Sequence, residues 1–428
     1  MTTRPRTAST GAIHNPRLRP IAESFIEELA ALLVPQTTTT AWPSGRSSRS
    51  AVLAQFGETR ADLMQWALTT GDPLADAVVA EMHEIGMSTA RPLLVRGIED
   101  GLDALHDPPP ALAALLKDTE TLPGYVDDEL LDALPRPWFS SPTPVHILSL
   151  SAGALVRVYE SPSIAKVLST TGRLVDRADK RLTETGTWLT HAMLPGNLRR
   201  GRPGYVATLN VRMLHAHMRK LALDRGYDSA ADGVPINQVD LGRTWMDFTV
   251  TSFVAEEQFG FDLTGRELHG LYRYRWYVGH LLGIDARLVE GITGHAAARR
   301  VDDLLQTVTG PVSEDSARLA AATLDSVSAL LRGLFQIPPR LSRPALDALT
   351  RRIHGPGMSQ DLQIRPAPVA DVLLTPAVTG FRQARAARRR SPRRWGSTID
   401  STIAAERRRA AEPGEPTAYQ RGATGSAD

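Results

Sequence analysis

From about Ala51 to Ala384 apolar residues recur every three or four positions, with breaks at proline and glycine. That period is the signature of amphipathic helices and confines the chain to helix-on-helix packing. It predicts helices at Ala61–Leu68, Pro73–Ile85, Pro110–Lys117, Val145–Tyr159, Gly172–Met193 and Leu209–Arg225. Further ones follow at Ile236–Phe259, Gly265–Leu282, Asp285–Thr309, Ser313–Leu334 and Arg343–His354. Alternating segments bounded by tight turns are scarce, and Tyr205 to Leu209 is the best short strand candidate. No repeat of fixed length is visible, which argues against a solenoid. Asp262, Thr264 and Ser313 are placed to cap helices. Ser313 is followed three residues on by Ser316 and not by glutamate, so no full capping box is expected there.

The expected fold is therefore all-α, with one large domain over residues 51–384. Residues 1–50 read as a Pro/Arg-rich arm, an amphipathic helix at Ile21–Val34 and a low-complexity connector from Thr37 to Ser50. Residues 385–428 read as a basic segment and a disordered tail.

Composition narrows the function. The chain is 42% apolar, enough for a sizeable core, and its net charge is only +2. Arginine carries the basicity, since the lysines are Lys117, Lys166, Lys180 and Lys220 alone, and much of the surplus lies between Arg382 and Arg394. Nucleic-acid binding is not the reading of the main body. Cysteine is absent, which excludes disulfides, thiolate catalysis, iron–sulfur clusters, cysteine zinc sites and thiolate-ligated haem. Any metal must be held by histidine or carboxylate. No run reaches the eighteen or so apolar residues of a membrane span. The first twenty residues have arginines but no apolar stretch after them, so no export signal is recognised and a cytoplasmic location is expected, a secreted one if the true N-terminus differs.

The most telling segment is LNVRMLHAHMRK, Leu209 to Lys220. Arg212, His215 and Arg219 stand at i, i+3 and i+7 on one helix. A lone histidine on an apolar face is more often a hydrogen-bonded core residue. A neutral imidazole there could also hold a haem iron from below, with the arginines neutralising propionates. His217, two residues from His215, points to another side, so only one of the pair is a candidate ligand. In the preceding helix Arg173 and Arg177 read as solvent-facing, whereas Arg181 and Thr185 lie close to Leu182, Trp188 and Leu189 and could line a pocket. In the third segment, VDLGRTWMDFTVTSFVAEEQFG, an i,i+4 ion pair between Arg243 and Asp247 is the plain expectation. The hydroxyls of Thr249 and Thr251 would bond back to the helix. Tyr272, Tyr274, Trp276, Tyr277 and His280 read as core or pocket wall. No phosphate loop, nucleophile elbow or zinc helix is present. Glu256-Glu257 with His280 lacks the paired Glu-x-x-His motifs of di-metal bundles.

Taken together, GDPLADAVVAEM from Gly71, LPGYVDDELL from Leu122, SLSAGALVRVYESPSIAKVLSTTGRL from Ser149, KRLTETGTWL, LNVRMLHAHMR and GRTWMDFT resemble the latex-clearing proteins. These are bacterial rubber oxygenases that share a catalytic domain with fungal oxygenases acting on a farnesyl chain in mycophenolic acid biosynthesis. The resemblance runs from about Gly71 to Leu282. It implies a fold like an expanded globin around a b-type haem. By position in the motifs it implies His215 as the iron ligand, flanked by Arg212 and Arg219. Arg181 and Thr185 match an Arg-x-x-x-Thr pair near the haem, and Thr249 matches a threonine of the haem pocket. Glu184, or else Glu160, is the candidate distal base. The implied reaction inserts both atoms of O₂ across a C=C bond of poly(cis-1,4-isoprene) or a smaller isoprenoid, giving aldehyde and ketone ends, by a monomer that needs no external electron donor. The apolar substrate would lie along Trp188, Trp245, Phe248, Phe253 and Trp276. Position 184 is an acid where the rubber oxygenases carry a basic residue, and the missing export signal makes a smaller isoprenoid or other lipid alkene a fair competitor to the polymer. The alternatives are a haem monooxygenase or peroxidase-like enzyme on another lipophilic compound, or a non-catalytic haem or lipid carrier.

Overall fold

Helices begin where the chain supplies a cap. Asp72 accepts a hydrogen bond from the Ala75 amide and Pro73 follows at the first helical position, which starts one of the inner helices. Thr264 and Glu267 form a reciprocal capping box. So do Ser313 and Ser316, contrary to expectation: the Ser316 hydroxyl accepts from the Ser313 amide at 3.3 Å, taking the part usually played by glutamate.

The protein, seen as a computed structural model, is described over residues 41–170 and 178–411. The first half contains α1 (Arg49–Phe56), α2 (Glu58–Thr69), α3 (Pro73–Ile85), α4 (Met87–Asp100), α5 (Pro110–Glu120), α6 (Asp128–Asp132), α7 (Thr143–Leu148), α8 (Val156–Val158), α9 (Pro162–Thr170) and α10 (Ala178–Met193). Then come α11 (Pro203–Asp224), α12 (Ser229–Asp232), α13 (Gln238–Met246), α14 (Ser252–Gln258), α15 (Gly265–Leu281), α16 (Ala286–Val289) and α17 (His295–Thr307). The chain closes with α18 (Glu314–Phe335), α19 (Pro339–Asp361), α20 (Pro368–Arg389) and α21 (Pro392–Ala411). No strand occurs among the described residues, and the fold is all-α. One apolar core runs through it, from Val52 to Ile403.

At its middle lies α11, packed on α3, α9, α10 and α15. The strand candidate Tyr205–Leu209 falls inside it. Both end residues are fully buried and stand one helical turn apart, so their shared face is a helical stripe. Two wider, π-helical stretches interrupt the regular helices, Ser149–Leu155 between α7 and α8, and Asp247–Thr251 between α13 and α14. They pack on each other where Gly153 leaves room: a Cβ there would stand 3.3 Å from that of Ala255.

The chain on either side of the main domain is more ordered than its composition suggests. Arg46 in the connector is buried against Asp240, and the Gly45 amide donates to Ala231. The basic segment also departs from expectation, since residues 385–411 are helical and docked. The Arg385 guanidinium is buried, donates to the backbone oxygens of Ser140 and Asp262 and to the Ser140 hydroxyl, and lies 4.7 Å from the Trp395 ring centroid. Ile399, Ile403 and Glu406 of α21 are buried as well. Arginines of the basic segment are used to fasten the last two helices.

Candidate functional site

A cavity of about 290 Å³ opens between α9, α10, α11, α13, the second π stretch and α15. Its wall is mostly apolar, with Leu155, Val158, Trp188, Leu214, Trp245 and Phe248 on it. That is the composition of a small-molecule site in which a few polar groups fix orientation. Of the five aromatic residues expected to line a substrate channel, Trp188, Trp245 and Phe248 reach this wall. Phe253 instead packs edge-on against Tyr272, and Trp276 donates to the Ile292 carbonyl.

The wall follows from helical spacing. Val211, Leu214, His215 and Met218 of α11 face the cavity at i, i+3, i+4 and i+7. Arg212 and Arg219 project about 100° around the helix from Val211 and Met218, onto the neighbouring face. There they meet α3. Arg212 grips Asp72 with two hydrogen bonds of 2.6 and 2.9 Å. Arg219 pairs with Asp76 and donates to the carbonyls of Pro235 and Ile236. The two arginines therefore sit behind the cavity, and His215 stands at the border between the faces. Gly283, at φ 74°, lets the chain pass close to the Arg212–Asp72 pair, where any Cβ would collide with both side chains.

His215 has a buried Nδ1 with no hydrogen-bond partner among the described residues. Burial, helped by the positive charge of Arg219, pushes its pKa down to about 4, so the imidazole is neutral at physiological pH. Thr185 and Glu184 of α10 share the wall with it, and so does Thr249 from the second π stretch. The Thr249 hydroxyl is buried and has no hydrogen-bond partner among the described residues, although a return bond to its own helix was expected. Arg181 lies one turn before Thr185 on α10, but its side chain, like all of Arg173 and Arg177, lies outside the described residues. Glu160 is not on the wall. It is held by Arg243 at 2.8 Å and Gln306 at 2.6 Å.

That pairing corrects the expected Arg243–Asp247 contact. Arg243 turns to Glu160 and Thr309, while Asp247 is taken by Arg157 at 3.1 Å. Burial still raises the Asp247 carboxyl to about 7, despite the arginine. Asp240 reaches the wall but is held by Arg46 and Ser163.

Sequence reasoning missed Arg275, which also lies on the wall. The signal was there: Leu271, Arg275, Val278 and Leu282 share one helical stripe, and an arginine in such a stripe is buried. Among the described residues no three histidine or carboxylate side chains converge on a bare metal ion.

Residues 143–390 match the family described as ER-bound oxygenase mpaB/B′/rubber oxygenase, catalytic domain. The fold is similar to the solved structure of latex clearing protein LCP in the closed state. The TM-score is 0.57 at 17% sequence identity, over 79% of this chain and 91% of that one. No curated protein matches the chain in sequence.

Proposed function

Because the chain belongs to the family of ER-bound mpaB/B′ oxygenases and rubber oxygenases, we propose that its cavity takes a b-type haem through His215 and that the protein cleaves a C=C bond of an isoprenoid chain with O₂. The observation that carries the reading is the neutral imidazole of His215, unpaired at Nδ1, on an otherwise apolar wall. A single histidine suits an iron that brings its own macrocycle, and in this cysteine-free chain no thiolate competes with it. Bound there, haem would supply the dioxygen chemistry that the side chains on this wall cannot perform.

The protein's own groups have definable tasks. Trp188, Trp245 and Phe248 exclude water and receive the apolar chain. Thr185 and Thr249 offer hydroxyls to an oxygen of the ligand, with Arg181 one turn away on the same helix. Glu184, a carboxylate on this wall, is the proposed proton acceptor; Glu160, bound to Arg243, lies off the wall. Arg212 and Arg219 act from behind, fixing α11 against α3 so that His215 faces inward. They are positioning residues.

The test is an absorption spectrum of protein produced with haem supplied, before and after reduction and addition of CO. A Soret band that shifts in the wild type and is lost in His215→Ala is expected, followed by carbonyl products from polyisoprene, squalene or shorter terpenoids. A featureless wild-type spectrum without iron would defeat the haem assignment. A haem-loaded protein that leaves every alkene intact would defeat the cleavage reaction.

A further inference from the structure

The buried arginines around the cavity are matched by acids: Arg46 by Asp240, Arg212 by Asp72, Arg219 by Asp76 and Arg243 by Glu160. Arg385, further off, is satisfied by carbonyls and a hydroxyl. Arg275 differs. It is 1% exposed and lies on the cavity wall, and its Nε and Nη2 have no hydrogen-bond partner among the described residues. Its backbone carbonyl accepts the Trp245 indole N–H at 2.8 Å, which fixes its stretch of α15 against α13. The acid that acts on it through space, Glu256, already accepts from Ser141 at 2.8 Å and faces the His146 Nδ1 at 2.8 Å. Burial lowers the Arg275 pKa to about 10, which still leaves it charged at neutral pH. A buried, uncompensated guanidinium is strongly unfavourable unless an anion completes it.

We infer that Arg275 is the anion-binding residue of the cavity and that it pairs with a carboxylate on a lipophilic ligand lying along Trp188, Trp245 and Phe248. Two ligands carry that chemistry. One is haem, through a propionate, and this source rests on the proposed function. The other is an acidic lipid substrate, which does not require haem. Since Arg212 and Arg219 are neutralised by acids at and in α3, Arg275 is, among the described residues, the positive group left unpaired at the wall, and planar bidentate capture of a carboxylate is what a guanidinium does best.

The wild type, Arg275→Met and Arg275→Lys are compared by titrating the ligand-free full-length protein, with circular dichroism and melting to confirm the fold. The ligands are haemin against haemin dimethyl ester, and oleate against oleyl alcohol. Binding is read by quenching of tryptophan fluorescence, for which Trp188 and Trp245 are well placed. The expected result is that Arg275→Met weakens a carboxylate ligand by about tenfold or more and leaves its uncharged counterpart nearly unchanged, with Arg275→Lys recovering part of the loss. Loss confined to haemin identifies the propionate. Loss confined to oleate identifies an acidic lipid. If haemin does not bind the wild type but oleate binding depends on Arg275, the proposed haem function fails and the anion site stands. Equal binding of acids by wild type and Arg275→Met overturns the inference. Should Arg275→Met not fold, a wild-type protein with no preference for acid over ester or alcohol overturns it equally.

Discussion

Two threonines on one wall behave oppositely. Thr244 gives its hydroxyl to the Asp240 carbonyl at 2.8 Å, whereas the Thr249 hydroxyl is buried and unmatched. Thr244→Val is therefore expected to cost the ligand-free protein about 0.5–1.5 kcal/mol in denaturant titration, and Thr249→Val to be neutral or stabilising. Equal losses in both would mean that Thr249 has a partner in solution. Asp72→Asn keeps a helix-capping side chain but leaves Arg212 without its closest countercharge. A loss of about 3–5 kcal/mol is expected, and one below about 1 kcal/mol would show the pair to be dispensable. His215 sets a pH dependence. Its folded pKa of about 4 lies below the unfolded 6.5, so the unfolded chain binds the extra proton between them. Stability conferred by the neutral ring is full above pH 6.5 and fades as pH falls toward 4, by about 3 kcal/mol. Asp76 and Asp247, raised to about 6 and 7, bend the wild-type curve the other way, so the check is the difference between wild type and His215→Leu across that window. An unchanging difference would mean a histidine that titrates normally. At this scale the histidine was legible because its spacing lies within its own helix. The partners of Arg212 and Arg219 were not, being about 140 residues earlier in the chain.

Whole elements were read well where the helical period is unbroken, as in α3, α15 and α18. The period fails at the π stretches, where each turn is wider and the facing positions shift. That shift accounts for the misread Arg243–Asp247 pair, and Leu155 and Thr249 reach the wall from just these stretches. Gly153 eases their crossing, since a Cβ there would press on Ala255 at 3.3 Å and anything larger would also meet Thr251, and the neighbouring Ala152 carbonyl faces His354 Nε2 at 3.0 Å. Gly153→Val is expected to lower stability by about 1–3 kcal/mol and to weaken ligand binding at a wall it does not touch. Wild-type stability together with wild-type binding would show the crossing to be compliant.

The domain as a whole extends further than composition indicated, because a run such as RAARRRSPRRW looks identical whether its guanidiniums face water or carbonyls. Only the positions of Ser140 and Asp262, more than a hundred residues away in sequence, tell the two apart. Deleting α21 should uncover the surface beneath Ile399 and Ile403 and strip Trp395 from Arg385. A loss of about 3 kcal/mol or more is expected, with a lower melting temperature. A truncated protein that melts like the full chain would return those residues to the status of a tail. The same staple has a temporal consequence. Arg385 is 245 residues downstream of the Ser140 carbonyl that it caps. At ribosomal speed the earlier residue waits on the order of ten to fifty seconds for its partner to be made. The helices that wall the cavity are synthesised in that interval, so the cavity is lined before the last two helices exist to brace the chain around it, and until then the nascent chain carries uncovered apolar surface, a natural client for chaperones.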